Sequence, residues 1–373
     1  MDMLQITAVL ISLTAVFSFL NYVFLKLPST IGVMAISMAL SLMLLLLGGL
    51  GFPLLLEQEQ SLLAGVDFST TLLHGMLSFL LFAGALHVDI NRLSEMKWIV
   101  ASLATIGVLI STLLVAVLLW GVSLLLDLPL TFIHCLLFGA LISPTDPVAV
   151  ISTLKTLGVP ASLETKIAGE SLFNDGVGVV LFLVIFNIAY ASEPMQAIDM
   201  AELFVTETLG GALFGLLIGY IAYRMLRQVD NYQVEIIISL ALVMGGYAFA
   251  EAWHLSAPIA IVVAGLLIGN HGRQFAMSDK TREHLDTFWE LVDEILNAVL
   301  FVLLGLEILL IIPISTNTFL LSLLAIPVVL LARFVSVSIP VSVLRGRYQF
   351  SPGVIKILTW GGLRGGISVA LVL

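Results

Sequence analysis

Apolar runs recur along the whole chain, separated by short charged or Pro/Gly-containing breaks. They fall at residues 4–24, 30–50, 68–88, 98–125, 132–154, 167–190, 203–226, 234–252, 256–270, 288–312, 317–344 and 352–373. A helix that crosses a bilayer needs about 20 mostly apolar residues. The pattern therefore predicts twelve crossing helices. No stretch shows the short alternating segments of a transmembrane barrel. The last run reaches Leu373 with no polar flank, which predicts further membrane sequence beyond it.

The cations test this count. Lys26 follows run 1, Arg92 and Lys97 follow run 3, and Lys155 and Lys166 follow run 5. Arg224 and Arg227 follow run 7; Arg273, Lys280 and Arg282 follow run 9; Arg345 and Arg347 follow run 11. Connections after even-numbered runs hold only acids, such as Glu57, Glu59, Asp127, Glu193 and Asp199. All the loop cations thus share one face. The positive-inside rule makes that face cytoplasmic and puts the N-terminus outside. Lys356 sits near the start of the last run, within snorkelling reach of the surface. Arg333 and Arg364 lie inside runs and need partners.

Composition narrows the function. The chain is 60% hydrophobic and 11% charged, with a mean hydropathy of +1.14, where soluble domains carry about 25% charged residues. A soluble enzyme is excluded. A net charge of −10 without a basic stripe excludes a nucleic-acid partner. Cys135 is the lone cysteine, so neither a disulfide framework nor a Cys-rich metal site is available. Met1-Asp2-Met3 offers no positively charged signal region. No Gly-x-x-x-x-Gly-Lys loop is present, so an ion gradient rather than ATP is the expected driving force. His-Glu-x-x-His and Gly-x-Ser-x-Gly are also missing, and the histidines are dispersed towards run ends and loops, which speaks against an enzyme. No cofactor is expected.

The informative polar groups sit in runs 5, 6, 11 and 12. Ser143-Pro144-Thr145-Asp146-Pro147 places an acid between two prolines. Each proline removes a donor and crowds a carbonyl one turn back, so a break is predicted there. Broken backbone survives at membrane depth only inside protein or along an aqueous cavity. Run 6 carries Gly169-Glu170-Ser171-Leu172-Phe173-Asn174-Asp175-Gly176. Helical spacing stacks Glu170 over Asn174 and Ser171 over Asp175, an oxygen-rich set suited to a hard cation. Glu170 is open to two readings, direct ligation or pairing with Arg333. In run 12, Trp360-Gly361-Gly362-Leu363-Arg364-Gly365-Gly366 weakens the helix, either as a second break or for tight packing. Two interrupted runs in corresponding positions point to an inverted-repeat carrier. The mixed-charge segment from Ser278 to Asp293 reads as an interfacial lead-in to run 10.

Together, Thr145-Asp146-Pro147, the 169–176 segment, Gly265-Leu266-Leu267-Ile268-Gly269-Asn270 and the 361–366 motif resemble the monovalent cation:proton antiporter-1 family, in its prokaryotic NhaP-type branch. The resemblance implies an all-α polytopic fold of thirteen spans, twelve of them visible, with two crossing discontinuous helices. It implies dimerisation helices 1–3 in residues 1–97, core helices 4–6 in 98–190 and linker helix 7 in 191–230. Dimerisation helices 8–10 would occupy 231–316 and core helices 11–12 would occupy 317–373. It further implies a homodimer in the cell membrane, transporting Na+ and H+. Asp175 would carry the exchanged ion, with Asp146, Ser171, the Thr145 carbonyl and Asn174 close by. Glu170 and Arg333 would form a structural pair, and Arg364 would compensate the helix ends of the second break. Where some relatives carry an acid in span 3 this chain has Ala83, with Asp89 further along.

A carboxylate sequestered at residue 175 can hold a proton or a cation, not both, and such competition suffices for exchange. Asn174 beside it, rather than a second acid, argues for electroneutral one-for-one exchange. Potassium or lithium in place of sodium remains open, because ligand type fixes hardness but not cavity radius. A cation channel would instead show acidic rings or carbonyl filters from repeated subunits.

Overall fold

The computed structural model describes residues 3–49, 76–146, 150, 161–190, 197–311, 316–348, 350–362 and 368. Among them the chain is helical, as it must be where no water is available to satisfy backbone groups. The helices are α1 (Met3–Leu20), α2 (Ser29–Gly49), α3 (Leu77–Leu86), α4 (Ile90–Glu95) and α5 (Lys97–Ser102). There follow α6 (Val108–Leu125), α7 (Phe132–Ile142), α8 (Ala161–Tyr190), α9 (Ala197–Leu226) and α10 (Tyr232–Ala252). The series ends with α11 (Ala257–Leu267), α12 (Arg273–Phe275), α13 (Asp279–Ile311), α14 (Thr316–Leu344) and α15 (Val354–Trp360). Seven stretches of the described residues are long and apolar enough to cross a membrane, and three shorter apolar helices accompany them. Run 3 is described only from Met76 onward, and run 12 only to Gly362 and at Ser368.

Two apolar clusters place the polar site between them. One joins Phe82 and Leu86 of α3 with Leu172 of α8, Ile261 of α11 and Trp289 of α13. The other joins Ile99, Leu103, Ile167, Val337, Val341 and Leu358, from α5, the turn after it, α8, α14 and α15. Between α6 and α7 the backbones touch: a Cβ on Gly139 would lie 2.4 Å from the Thr112 carbonyl oxygen. Small residues are what allow membrane helices this approach.

The segment from Ser278 to Asp293 leads into run 10 without a break: α13 runs for 33 residues, about 50 Å at 1.5 Å per residue. Trp289 is fully buried, its ring centroid 4.7 Å from that of Phe82, and its indole N–H donates to Ser239 Oγ at 3.1 Å. Charge spacing shows such a face to be amphipathic but not what its apolar side meets.

The Gly265–Asn270 segment closes α11 with a π-helical turn, Ile268–Gly272. Asn270 donates from Nδ2 to the Val88 and Leu266 carbonyls (2.9 and 2.8 Å), and its Oδ1 accepts from the Ile90 amide (2.8 Å). It pins the corner between α3 and α4 to α11. Asp89 is the N-cap of α4, accepting from the Asn91 and Arg92 amides, and Ala83 is buried.

Candidate functional site

The site grows from a helix that stops. α7 ends at Ile142, and Ser143 to Asp146 are non-helical. Pro144 has no N–H to give, so the last carbonyls of α7 need other donors. Ser143 Oγ donates to the Gly139 carbonyl at 2.6 Å. Ser368 Oγ, from the glycine-rich end of the second interrupted run, donates to the Leu141 carbonyl at 2.8 Å. That carbonyl would have served the Thr145 amide had the helix continued.

Thr145 is satisfied from α8 instead. Its amide donates to Asn174 Oδ1 at 3.4 Å, and Asn174 Nδ2 donates back to Thr145 Oγ1 at 2.9 Å. One turn earlier, Ser171 Oγ donates to the Thr145 carbonyl at 2.5 Å. Asn174, Ser171 and Thr145 are 0%, 2% and 4% exposed. The spacing of three between Ser171 and Asn174 puts both on the stripe of α8 that faces the broken backbone.

Glu170, also on α8, takes the Arg333 guanidinium of α14 at 2.5 Å. Arg333 Nη2 also donates to the Leu358 carbonyl at 3.2 Å, near the end of α15. One arginine therefore ties three helices and neutralises a carboxylate that burial alone would make costly. α15 ends at Trp360, and Gly361 and Gly362 are non-helical. A Cβ on Gly362 would stand 2.7 Å from Arg333 Nε. The glycine makes room for the arginine. Arg364 and Pro147 lie outside the described residues.

Asp175 follows Asn174, and Asp146 follows Thr145, so the clamp between the first pair sets both acids beside the same break. Both acids are half-buried, and the Asp146 carboxylate is within electrostatic reach of Asp175. Oxygen chemistry dominates: two carboxylates, an amide, two hydroxyls and a backbone carbonyl converge on one break. Such a set suits a hard cation or a proton.

The family described as sodium/hydrogen exchanger, transmembrane, matches residues 8–373. The chain belongs to the sodium/hydrogen exchanger family. Over 375 residues it is 49% identical to the Na(+)/H(+) antiporter NhaP of Pseudomonas aeruginosa, covering 100% of this chain and 88% of that one. Over 340 residues it is 36% identical to the Na(+)/H(+) antiporter NhaH of Halobacillus aidingensis, covering 90% and 82%. The fold is similar to that of the sodium proton antiporter MjNhaP1 from Methanocaldococcus jannaschii at pH 8, with a TM-score of 0.76 and 20% identity over 100% of this chain and 85% of that one. The exchanger chain therefore has an all-helical membrane fold shared with a solved antiporter.

Within this exchanger fold, three residues near the break escape sequence reasoning. Gly362 was visible only as one glycine of a run, and Ser368 as an ordinary serine in an apolar stretch. Asp293 of α13 is half-buried, and the Asp146 carboxylate is within electrostatic reach of it. A signal for it exists: Asp286, Glu290, Asp293 and Asn297 recur at spacings of four, three and four, which makes one stripe of a helix. His87, at the C-cap of α3, lies 3.7 Å from Glu290 on that stripe.

Proposed function

We propose that the protein is a secondary antiporter of the cell membrane that exchanges Na+ for H+, one for one, the two ions competing for Asp175. The observation that carries this reading is the clamp of Asn174 and Ser171 on Thr145 at a broken helix end, with Asp175 and Asp146 next in sequence and within electrostatic reach of each other. Two carboxylates so placed in a low-dielectric interior repel each other. A single positive charge, proton or cation, relieves the repulsion. The names of the relatives, Na(+)/H(+) antiporters, agree with that chemistry.

The Na+ ligands in this reading are Asp175 and Asp146, with Ser171 Oγ and the Thr145 carbonyl. Asn174 holds Thr145 in place, and Glu170–Arg333 keeps the neighbouring charge balanced. When Asp175 carries neither ion, moving it across the apolar barrier costs at least several kcal/mol, which suppresses leak. Alternating access follows from residues 98–190 and 317–373 moving as a core against a dimerising unit of residues 1–97 and 231–316, with 191–230 as the link. In this proposal two copies form a homodimer, the N-termini face outward, Arg364 offsets the helix ends at the second break, and no covalent chemistry is catalysed.

The test is reconstitution in proteoliposomes with an inside-acid pH gradient and a series of Na+, Li+ and K+ salts. Saturable, Na+-dependent dissipation that is insensitive to membrane voltage supports the proposal. Selective response to K+ overturns the choice of cation, and flux without a counter-gradient overturns antiport.

A further inference from the structure

A groove of about 340 Å³ opens between the two helices at one end of α5 and α14. Trp98, Ser102 and Ile106 form one wall; Ile339, Val343 and Arg347 form the other. Its volume lies within the range of about 300–1,000 Å³ usual for ligand clefts. Its walls face outward: Trp98 is 57% exposed and Val343 77%.

Two irregularities lie along it. The π-helical turn Leu103–Gly107 follows α5 and carries Ile106 of that wall. Pro340 lies inside α14, where it can neither donate to the Ser336 carbonyl nor avoid crowding it. The helices meet near Gly107, whose Cβ position is 3.6 Å from the Ser336 carbonyl oxygen. The groove occupies the stretch from there towards Trp98 and Arg347.

The chemistry of the groove is divided. Most of its length is apolar and stands at membrane depth, where lipid is the surrounding solvent. Its mouth carries Arg347, which forms no ion pair among the described residues. Trp98 sits at the same end, where the indole of an interfacial tryptophan belongs. Arg345 and Arg347 lie on the cation-rich face, and basic pockets between membrane helices on such a face favour anionic headgroups. A guanidinium offers a phosphate two parallel donors.

We propose that this groove binds one anionic phospholipid, its phosphate on the Arg347 guanidinium and an acyl chain along Ile106, Ile339 and Val343. The proposal does not depend on which ions the protein exchanges.

The test is thermal unfolding of the purified protein in detergent, titrated with phosphatidylglycerol, with phosphatidylcholine of the same acyl chains, and with glycerol 3-phosphate. Phosphatidylglycerol is expected to raise the Tm at a concentration about tenfold lower than phosphatidylcholine, the margin of one charge-assisted contact. Glycerol 3-phosphate is expected to do nothing. Arg347→Gln should erase the difference between the two lipids. Ile106→Trp, which fills the groove, should blunt the response to both; if it melts early without lipid, Val343→Trp at the exposed wall replaces it. Equal response to the two lipids, or an unchanged preference in Arg347→Gln, overturns the proposal. So does a full response to glycerol 3-phosphate, which would mark a plain anion site. A Tm that depends on protein concentration and is lost in the filled variant would make the face a contact between copies, and also overturns it.

Discussion

Arg333 of α14 holds Glu170 of α8 at 2.5 Å in a place where both side chains are hidden, 7% and 2% exposed. The same arginine reaches the Leu358 carbonyl beside the second break. Removing it strands a buried carboxylate, which costs about 3–5 kcal/mol. Arg333→Ala is therefore expected to lower the Tm in detergent sharply, and Arg333→Ala combined with Glu170→Gln to recover part of the loss. Lysine should rescue poorly, since it lacks the fork that serves two helices at once. A melting curve of Arg333→Ala that overlays the parent would show that the pair bears no load.

Gly362 and Arg333 should be coupled. Gly362→Ala pushes a methyl to within 2.7 Å of Arg333 Nε, an overpacking that costs about 1–3 kcal/mol. An Arg333→Ala background removes the three atoms nearest that methyl. A double-mutant cycle on Tm or denaturant midpoint should show strong non-additivity; additive losses would contradict the contact.

Asp175→Asn is expected to abolish Na+-dependent dissipation of a pH gradient in proteoliposomes while the Tm stays close to that of the parent. The asparagine keeps the shape of the side chain and removes the charge for which the ions compete. Exchange persisting in that variant would remove Asp175 from the centre of the proposed mechanism.

Ser171→Ala deletes the hydroxyl that donates to the Thr145 carbonyl. Leaving a buried carbonyl unpaired costs about 1–3 kcal/mol, and the proposed Na+ site loses an oxygen. The half-saturating Na+ concentration should rise about tenfold, a shift equivalent to 1.4 kcal/mol, measured alongside a modest fall in Tm. A drop in Tm with unchanged Na+ dependence would make the serine purely structural.

Competition for one carboxylate fixes the pH response. Below the pH at which Asp175 is half protonated, each unit of acidification raises the ratio of protonated to free carboxylate, and with it the half-saturating Na+ concentration, about tenfold. The sign follows from the proton displacing the cation. A plot of log half-saturation against pH should therefore have a slope near minus one; a slope near minus two would mean two protons per cation.

The break at Ser143–Asp146 was legible because two prolines so close leave carbonyls without donors, whatever the tertiary context. Glu170 and Arg333 were legible as complementary charges at membrane depth, though spacing alone left Glu170 open between ligation and pairing. The double use of the Asn174 amide was not legible. It depends on the direction in which the freed Thr145 amide points, and periodicity carries no such information. Asp293 was hidden for a related reason: its stripe is visible on α13, but only packing brings that stripe near Asp146. Trp289 shows the same limit, since an indole in a charged segment reads as interfacial until Phe82 and Ser239 are found around it.

The hydroxyl that completes the end of α7 comes from Ser368, 227 residues further along than the Leu141 carbonyl it meets. During synthesis that carbonyl must wait for a partner through the insertion of α8 to α15. Contacts of such long sequence separation are slow to form, so the end of α7 is completed only once the second interrupted run has been made.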